Sequence, residues 1–281
     1  GVDTGTSNTA DANFNQVALL LNGDGTNGGQ NNTFIDSSTN NFTITRNGNA
    51  TQGSFSPYGS LWSNYFGASG DYLATTTNTV NTSTATFTAE LWFYPSNVSA
   101  RQDIFQSSIN TSISLNTQWD WMISSLAGGA IRYYSFSGNN WVAVDTTQTI
   151  QPNTWNHIAV VRSGTSATVY VNGVGLTGTA YATQNTNQYL VIGGGAGGAM
   201  QQTTGYISNV RLVVGTAVYT SNFTPSTTPL TAITNTQLLT CQSNRFKDNS
   251  SNNFTLTVSG TPSVQRFSPF NPTSAYSTSV I

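Results

Sequence analysis

Residues 153–173 read NTWNHIAVVRSGTSATVYVNG. Two runs rich in β-branched and aromatic residues, 155–163 and 167–173, stand on either side of a short polar break. Runs of this length and composition form strands. The second run ends on Asn172-Gly173, and an Asn-Gly pair after a strand predicts a type I′ turn, because both central residues of that turn need positive φ. The stretch therefore predicts antiparallel pairing. The same punctuation continues outward. "FTAELWFYP" (87–95), "WDWMIS" (119–124), "IRYYSFSG" (131–138), "YLVIGG" (189–194) and "YISNVRLVVG" (206–215) are further apolar runs broken by Gly, Asn and Pro. No amphipathic helix of useful length lies between them. The expectation is an all-β chain whose length favours two packed antiparallel sheets.

The 281 residues are 37% hydrophobic and 11% aromatic, enough for a substantial core, yet only 6% are charged. An ordinary soluble protein carries about 25%, so Asn, Thr, Ser, Gln and Gly must solvate this surface. Net charge is −2 and no basic run exists. That excludes a phosphate-tracking nucleic-acid binder. Cys241 is the only cysteine, which rules out an intrachain disulfide and any CxxC metal site. No apolar run approaches 18 residues, so no membrane-spanning helix is expected. The first residues, Gly1-Val2-Asp3, lack Met and an apolar signal region, which suggests processing or a numbering that starts inside a longer product. A polar, uncharged, Thr/Asn/Gly-rich composition suits a virion surface or an extracellular setting.

A second pattern frames the chain. "FIDSSTNNFTITRNG" at 34–48 returns as "FKDNSSNNFTLTVSG" at 246–260, and residues 34–58 and 246–270 agree at 12 of 25 positions without gaps. The shared residues include Asp36/Asp248, Asn40-Asn41/Asn252-Asn253, Phe42/Phe254, Gly48/Gly260 and "FSP" at 55–57 and 267–269. A leucine-rich stretch precedes each copy, "VALLLNG" (17–23) and "TQLLTCQ" (236–242). Two copies this far apart do not make a solenoid. The expectation is one sandwich over 15–281, with core 70–230, and flanking units 17–58 and 236–270 whose leucine strands close its sheets. Residues 1–14 read as an arm, with Asp3, Asp11 and Phe14 as candidate assembly contacts.

"GDYLATT" (70–76), "FTAELWFYP", "NTWNHIAVVRSGTSATVYVNG" and "GYISNVRLVVGTAVY" (205–219) occur in that order. Together they resemble the concanavalin A-like lectin/glucanase superfamily in its laminin-G-like branch, over roughly 70–225. The flanking units resemble those around such domains in structural proteins of tailed phages. The first resemblance implies a jelly-roll β-sandwich whose relatives bind glycans, bind proteins or act as glucanases. Fold alone does not choose among these.

Chemistry can be tested by counting. Retaining glucanases of this superfamily carry paired carboxylates on one strand face, whereas Glu90 is the only glutamate here and its neighbours are Leu91, Trp92, Phe93 and Tyr94. No catalytic residue is expected. His157 reads as a packed or hydrogen-bonded strand residue and Cys241 as a small buried hydrophobe. Calcium is a possible cofactor, with Asp24, Asp36 and Asp71 as candidate ligands; the alternative for each recurring Asp is a turn cap. "GGGAGG" (193–198) is no phosphate loop, since no Lys-Ser/Thr and no helix follows. Glycan binding needs exposed aromatic faces with amides and charges beside them. "QWDWMIS" and "IRYYSFSGNNWVAVD" supply rings, of which about half must face the core, and Trp141, Tyr134, Arg132, Asn139 and Asn140 form the candidate groove.

The expected function is a non-catalytic, lectin-like virion structural, decoration or adhesion (fibre) protein of a tailed phage. A secreted module recognising host polysaccharide is the alternative, and a glycoside hydrolase the third reading. Expected partners are other virion or surface-assembly proteins, further copies of the chain, and cell-surface glycans, with neither nucleic acid nor membrane.

Overall fold

Period-two alternation sets each strand's two faces. In Phe87–Pro95, Phe87, Ala89, Leu91 and Phe93 enter the main core while Thr88, Glu90, Trp92 and Tyr94 point the other way. The computed structural model describes residues 14–21, 34–45, 61–83, 86–108, 119–137, 140–181, 188–194 and 201–270. The chain divides into two compact units, 1–57 and 58–281. The sandwich belongs to the second.

One sheet contains β1 (Ser63–Phe66), β3 (Phe87–Pro95), β8 (Asn156–Ser163), β9 (Ser166–Val171), β10 (Val174–Thr179), β12 (Gly205–Val214), β13 (Thr236–Thr240) and β15 (Ser263–Gln265). Its order is β10-β9-β8-β3-β12-β1-β15, with β13 also paired to β12. The other contains β2 (Tyr72–Thr75), β4 (Gln102–Ser108), β5 (Trp119–Ser125), β6 (Ala130–Ser137), β7 (Asn140–Thr149), β11 (Tyr189–Ile192) and β14 (Leu256–Ser259), ordered β14-β2-β11-β4-β5-β6-β7. All pairings in both sheets are antiparallel. Between the sheets lie Phe66, Leu73, Leu91, Phe105, Trp121, Ile123, Tyr133, Val160 and Leu212, all fully buried. Trp121 and Tyr133, two of the rings weighed for sugar binding, are thus core residues.

Two turns show how local sequence sets register. Asn172 and Gly173 take φ of 49° and 81° between β9 and β10, as the I′ turn requires. A Cβ on Gly173 would sit 1.7 Å from the Phe223 carbonyl oxygen, so glycine is needed there for space as well as for φ. In β12, Ile207, Val210 and Leu212 all face the core, a spacing that strict alternation forbids. Asn209 absorbs the extra residue as a bulge, with φ of 52° and a register shift between Ser208 and Arg211. β12 therefore offers one flank to two partners. β1 pairs along 205–207 and β13 along 210–213.

The duplicated units fold into the same hydrogen-bonded knot. In the second, Asp248 Oδ1 accepts the N–H groups of Leu239 (3.0 Å) and Ser250 (2.9 Å). Its Oδ2 accepts Ser250 Oγ–H (2.8 Å) and the Phe254 N–H (2.9 Å). In the first, Asp36 Oδ1 accepts Leu20 N–H (3.0 Å) and Ser38 N–H (2.9 Å), and Oδ2 accepts Ser38 Oγ–H and Phe42 N–H, both at 2.9 Å. Asn40 Nδ2 donates to the Ala18 carbonyl as Asn252 Nδ2 does to that of Gln237. Asn41 and Asn253 share a φ of 47°, a conformation asparagine tolerates better than most residues. The repeated Asp-x-Ser-x-Asn-Asn-Phe is therefore a turn cap that ties a preceding extended segment to the turn. Capping N–H groups fill both carboxylates.

The second knot joins the sheets. β13, before it, lies in one sheet, and β14, after it, lies in the other. β15 then returns to the first sheet past Gly260 and Thr261, whose N–H donates 2.7 Å to Asp71 Oδ1. Gly260 has φ of 72°, and a Cβ there would meet that oxygen at 2.3 Å. Phe267 of the "FSP" motif then packs among Tyr94, Trp155 and Tyr206 at centroid distances of 4.9, 5.2 and 4.9 Å. The first copy contributes no strand to either sheet among the described residues. Within the 1–57 unit, Leu21 bridges Asp36 and the Leu20 carbonyl accepts the Ser37 N–H at 2.8 Å; the same unit holds the 3-10 turn Phe14–Gln16.

The outer face of the β3-containing sheet is covered by the segment 216–233. Ala217, Tyr219 and Phe223 pack on Ala159, Val161 and Tyr170. Beneath it Glu90 is fully buried. Arg211 donates to Glu90 Oε1 from Nε (2.9 Å) and Nη2 (2.6 Å), and Tyr219 Oη–H donates to Oε2 (2.7 Å). His157 Nε2 lies 3.1 Å from the same Oε2. Burial pushes the Glu90 carboxyl up, but the His157, Arg211 and Tyr219 contacts outweigh it and hold it below the ordinary value of 4.5. Arg211 Nη1 also donates to the Thr231 carbonyl at 2.8 Å, so the cluster fastens the covering segment to the sheet.

Asp248→Ala should destabilise the sandwich by about 2–4 kcal/mol, since it strands three N–H donors and a hydroxyl. The urea midpoint should fall with little change in slope. Glu90→Gln, which leaves Arg211 buried without its countercharge, should cost about 3–5 kcal/mol by the same measurement. The folded Glu90 carboxyl binds its proton less readily than the unfolded one. Its stabilisation is therefore complete above pH 4.5 and lost as pH falls through the lower folded value. Asp36 behaves likewise: the Leu20 N–H bond is the largest cause of a fall from 3.8 to about 2, against opposing burial, with Phe42 and Ser38 adding to it. Amide protection at Leu20 and Phe42 should be constant above pH 3.8 and vanish as pH falls through about 2.

Candidate functional site: the outer face of the seven-stranded sheet

Pairing in the β2-containing sheet aligns Ala74, Val191, Gln106, Met122, Tyr134 and Ala143 in one row across six strands. Their sequence neighbours Leu73, Ile192, Phe105, Ile123, Tyr133 and Val144 enter the core, so the row lies on the opposite, outer face. Ala74, Met122, Tyr134, Phe136 and Val191 form a second apolar cluster there, with Tyr72 and Ala143 against it. An outer face this apolar, in so polar a chain, is a feature to explain.

At the β6–β7 end the face becomes aromatic and charged. Phe136 opposes Trp141, Tyr134 opposes Ala143, and Arg132 opposes Asp145. Trp141 is 54% exposed and meets the Tyr134 ring edge-on at 5.4 Å, while Phe136 stacks on Tyr134 at 5.8 Å. The guanidinium carbons of Arg101 and Arg132 each lie 5.3 Å from the centre of the Tyr134 ring. Arg132 Nη1 donates to Tyr134 Oη at 3.2 Å and forms a fork with Asp145, at 2.5 Å on both oxygens. Hydrogen bonding to Asp145 raises the Arg132 pKa above its ordinary value against partial burial, with Tyr134 adding to it. Arg101 forks onto Asp103 at 2.8 and 3.0 Å, and Asp103 also accepts Ser124 Oγ–H (2.7 Å) and the Gln201 N–H (2.8 Å). Both guanidiniums are thus matched by carboxylates, and the patch is close to neutral.

Sequence reasoning grouped Trp141, Tyr134 and Arg132 with Asn139 and Asn140. The structure brings the first three together. Asn140 opposes Ser137, and alternation turns it to the other side of the sheet. Asn139 lies outside the described residues, as do Asp24, Asp3 and Asp11. Arg101, Asp103 and Phe136 belong to the patch without having been singled out. Arg101 reaches it from before β4, a relation no local pattern carries.

Each carboxylate that the structure describes is engaged. Asp36, Asp248 and Glu90 are bound as above, and Asp103 and Asp145 by arginines. Asp71 accepts Gly67, Ala68 and Thr261 N–H groups, and Asp120 accepts Gln188 Nε2–H. Burial pushes the Asp71 carboxyl up, but those N–H bonds outweigh it and hold it below 3.8. Asp36 and Asp71, the candidate calcium ligands in view, thus present oxygens already filled by N–H donors, and no grouping of three or more metal-binding side chains occurs among the described residues. Glycosidic cleavage needs one carboxyl raised to act as an acid beside a free second one. Glu90, Asp71 and Asp36 all shift the other way.

No curated protein sequence matches the chain. Among solved structures, a native heptameric SAP-like pentraxin from Limulus polyphemus is 16% identical, covering 57% of this chain and 77% of that one, with a TM-score of 0.43. Domains LG4-5 of the mouse laminin α1 chain are 15% identical over 54% of this chain and 40% of that one, also with a TM-score of 0.43. Domain 4 of the extracellular arabinanase AbnA from Geobacillus stearothermophilus is 20% identical over 50% and 64%, with a TM-score of 0.39. A laminin-G-type sequence-family model matches residues 66–217, more than half of the chain and bounded by β1 and the end of β12. The chain belongs to the concanavalin A-like lectin/glucanases superfamily.

Proposed function

We propose that the protein is a non-catalytic glycan-binding module that holds uncharged sugars on the outer face of the seven-stranded sheet, at Trp141. The carrying observation is the exposed Trp141 ring, braced edge-on by Tyr134 and flanked by the Arg132–Asp145 pair. A flat ring open to solvent stacks on the apolar face of a pyranose, and Asp145, with its side chain 41% exposed, offers an acceptor to hydroxyls alongside. Because each arginine of the patch carries its own carboxylate, no net charge selects for acidic sugars. The filled carboxylates support holding over cutting. A surface solvated by hydroxyls and amides supports placement on the exterior of a larger assembly, such as a tailed-phage particle, where the module would serve decoration or adhesion.

Affinity electrophoresis through gels containing a neutral β-glucan, a mannan or an acidic alginate tests this reading. Retardation is expected with a neutral polymer, with little change between low and physiological salt. Trp141→Ala should weaken it about tenfold or more while leaving the thermal midpoint within about a degree, since the side chain is mostly in solvent. Retention of the Trp141→Ala variant equal to that of the parent, or binding confined to alginate, would overturn the proposal.

A further inference from the structure

The stretch between β2 and β3 meets the residue that precedes β11. Val80 and Gln188 form an antiparallel bridge, and the Gln188 N–H donates to the Val80 carbonyl at 3.0 Å. Two residues on, the Thr82 hydroxyl donates to Gln188 Oε1 at 2.9 Å. Asp120 orients the amide, its Oδ2 accepting Gln188 Nε2–H. An ionised carboxylate only accepts, so the amide nitrogen faces Asp120 and its carbonyl faces Thr82. Two further donors fix the threonine. Trp121 Nε1–H reaches Thr82 Oγ1 at 3.2 Å, and Arg162 Nη2 reaches the Thr82 carbonyl at 3.0 Å. Thr82, Gln188 and Trp121 are fully buried, and Asp120 and Arg162 are each 1% exposed.

We infer that Thr82 and Gln188 are the two ends of an internal ester cross-link that the folded chain forms by itself. A hydroxyl and a carboxamide held against each other are the reactants of that bond. Thr82 Oγ1 attacks Gln188 Cδ, and the hydroxyl proton passes to Oε1, to which it is already bonded. The tetrahedral centre then collapses by breaking the Cδ–Nε2 bond, and the nitrogen takes that proton and leaves as ammonia. Alcohol and amide thus become ester and ammonia, with no oxidant or co-reactant. The surroundings favour the step in two ways. The backbone bridge at Val80 and the four side-chain hydrogen bonds hold both partners in place, and groups so held react as though at effective molarities of up to about 10⁸ M. Complete burial also keeps out the water that would hydrolyse the product. A chain with one cysteine has no disulfide of its own. A link between residues 106 apart would constrain the unfolded chain as a disulfide does. The link is independent of sugar binding at Trp141.

Intact-mass measurement on the full chain, unfolded in guanidinium, tests this. The expected mass is one ammonia below the sequence value. Protease digestion should then release a single species in which the peptide carrying Thr82 is joined to the peptide carrying Gln188. Mild alkali should separate the two. T82S keeps a hydroxyl and should keep the joined species, whereas T82V should lose it and return to the full sequence mass. A parent chain at its full sequence mass overturns the inference, as does ammonia lost without a joined peptide. A joined species that survives in T82V overturns it too. The first two readings use the parent chain alone, so the test stands even where T82V does not fold.

Discussion

A carboxylate enclosed by N–H donors holds this sandwich closed. Asp248 takes one donor from the strand before it and others from the turn and strand entry after it. Those two strands belong to different sheets. Hydrophobic burial gives the sheets a reason to stack but not a fixed alignment at their open flank. The knot supplies that alignment, and Asp71 repeats the device a few residues later by gripping Thr261. Everything from β13 to Phe267 is placed by these two side chains, including the aromatic plug among Tyr94, Trp155 and Tyr206.

Scarcity of charge makes such devices necessary. With 6% charged residues, the chain has few ions for its surface, and its described carboxylates sit at junctions. Glu90 and Arg211 fasten the covering segment 216–233, Asp103 ties Arg101 to Ser124 and Gln201, and Asp145 steadies Arg132 beside Tyr134. Each is a pair or a cap whose acid and base, or acid and N–H groups, leave little net field. The same matching that secures the fold leaves the aromatic patch suited to hydroxyls in preference to ions.

Much of the fold was legible in the sequence because its cause was local. Phe87–Pro95 has the predicted limits, and Asn172-Gly173 turns as an Asn-Gly pair should. The repeat announced itself: its Asp proved to be the cap, its first Asn a donor to the preceding segment and its second Asn a positive-φ position. What escaped depended on register or distance. The bulge at Asn209 looks like an ordinary strand residue until Ile207 and Val210 are found on the same face. Asn140 was grouped with Trp141 by proximity in sequence, yet one residue's step on a strand is a change of side. Glu90 and Arg211 stand 121 residues apart, and nothing near either foretells the other.

The end of β13 carries one more consequence. Cys241 sits there with φ of 58°, 2% exposed, its carbonyl accepting the Asn209 N–H and its thiol pushed up by burial. As the chain's lone sulfhydryl, it is inert while the knot is shut and becomes reactive only when the strand peels from its neighbour. The rate at which a thiol-specific dye attaches is therefore a clock for the opening of that flank, built into the native sequence and readable without any engineered label.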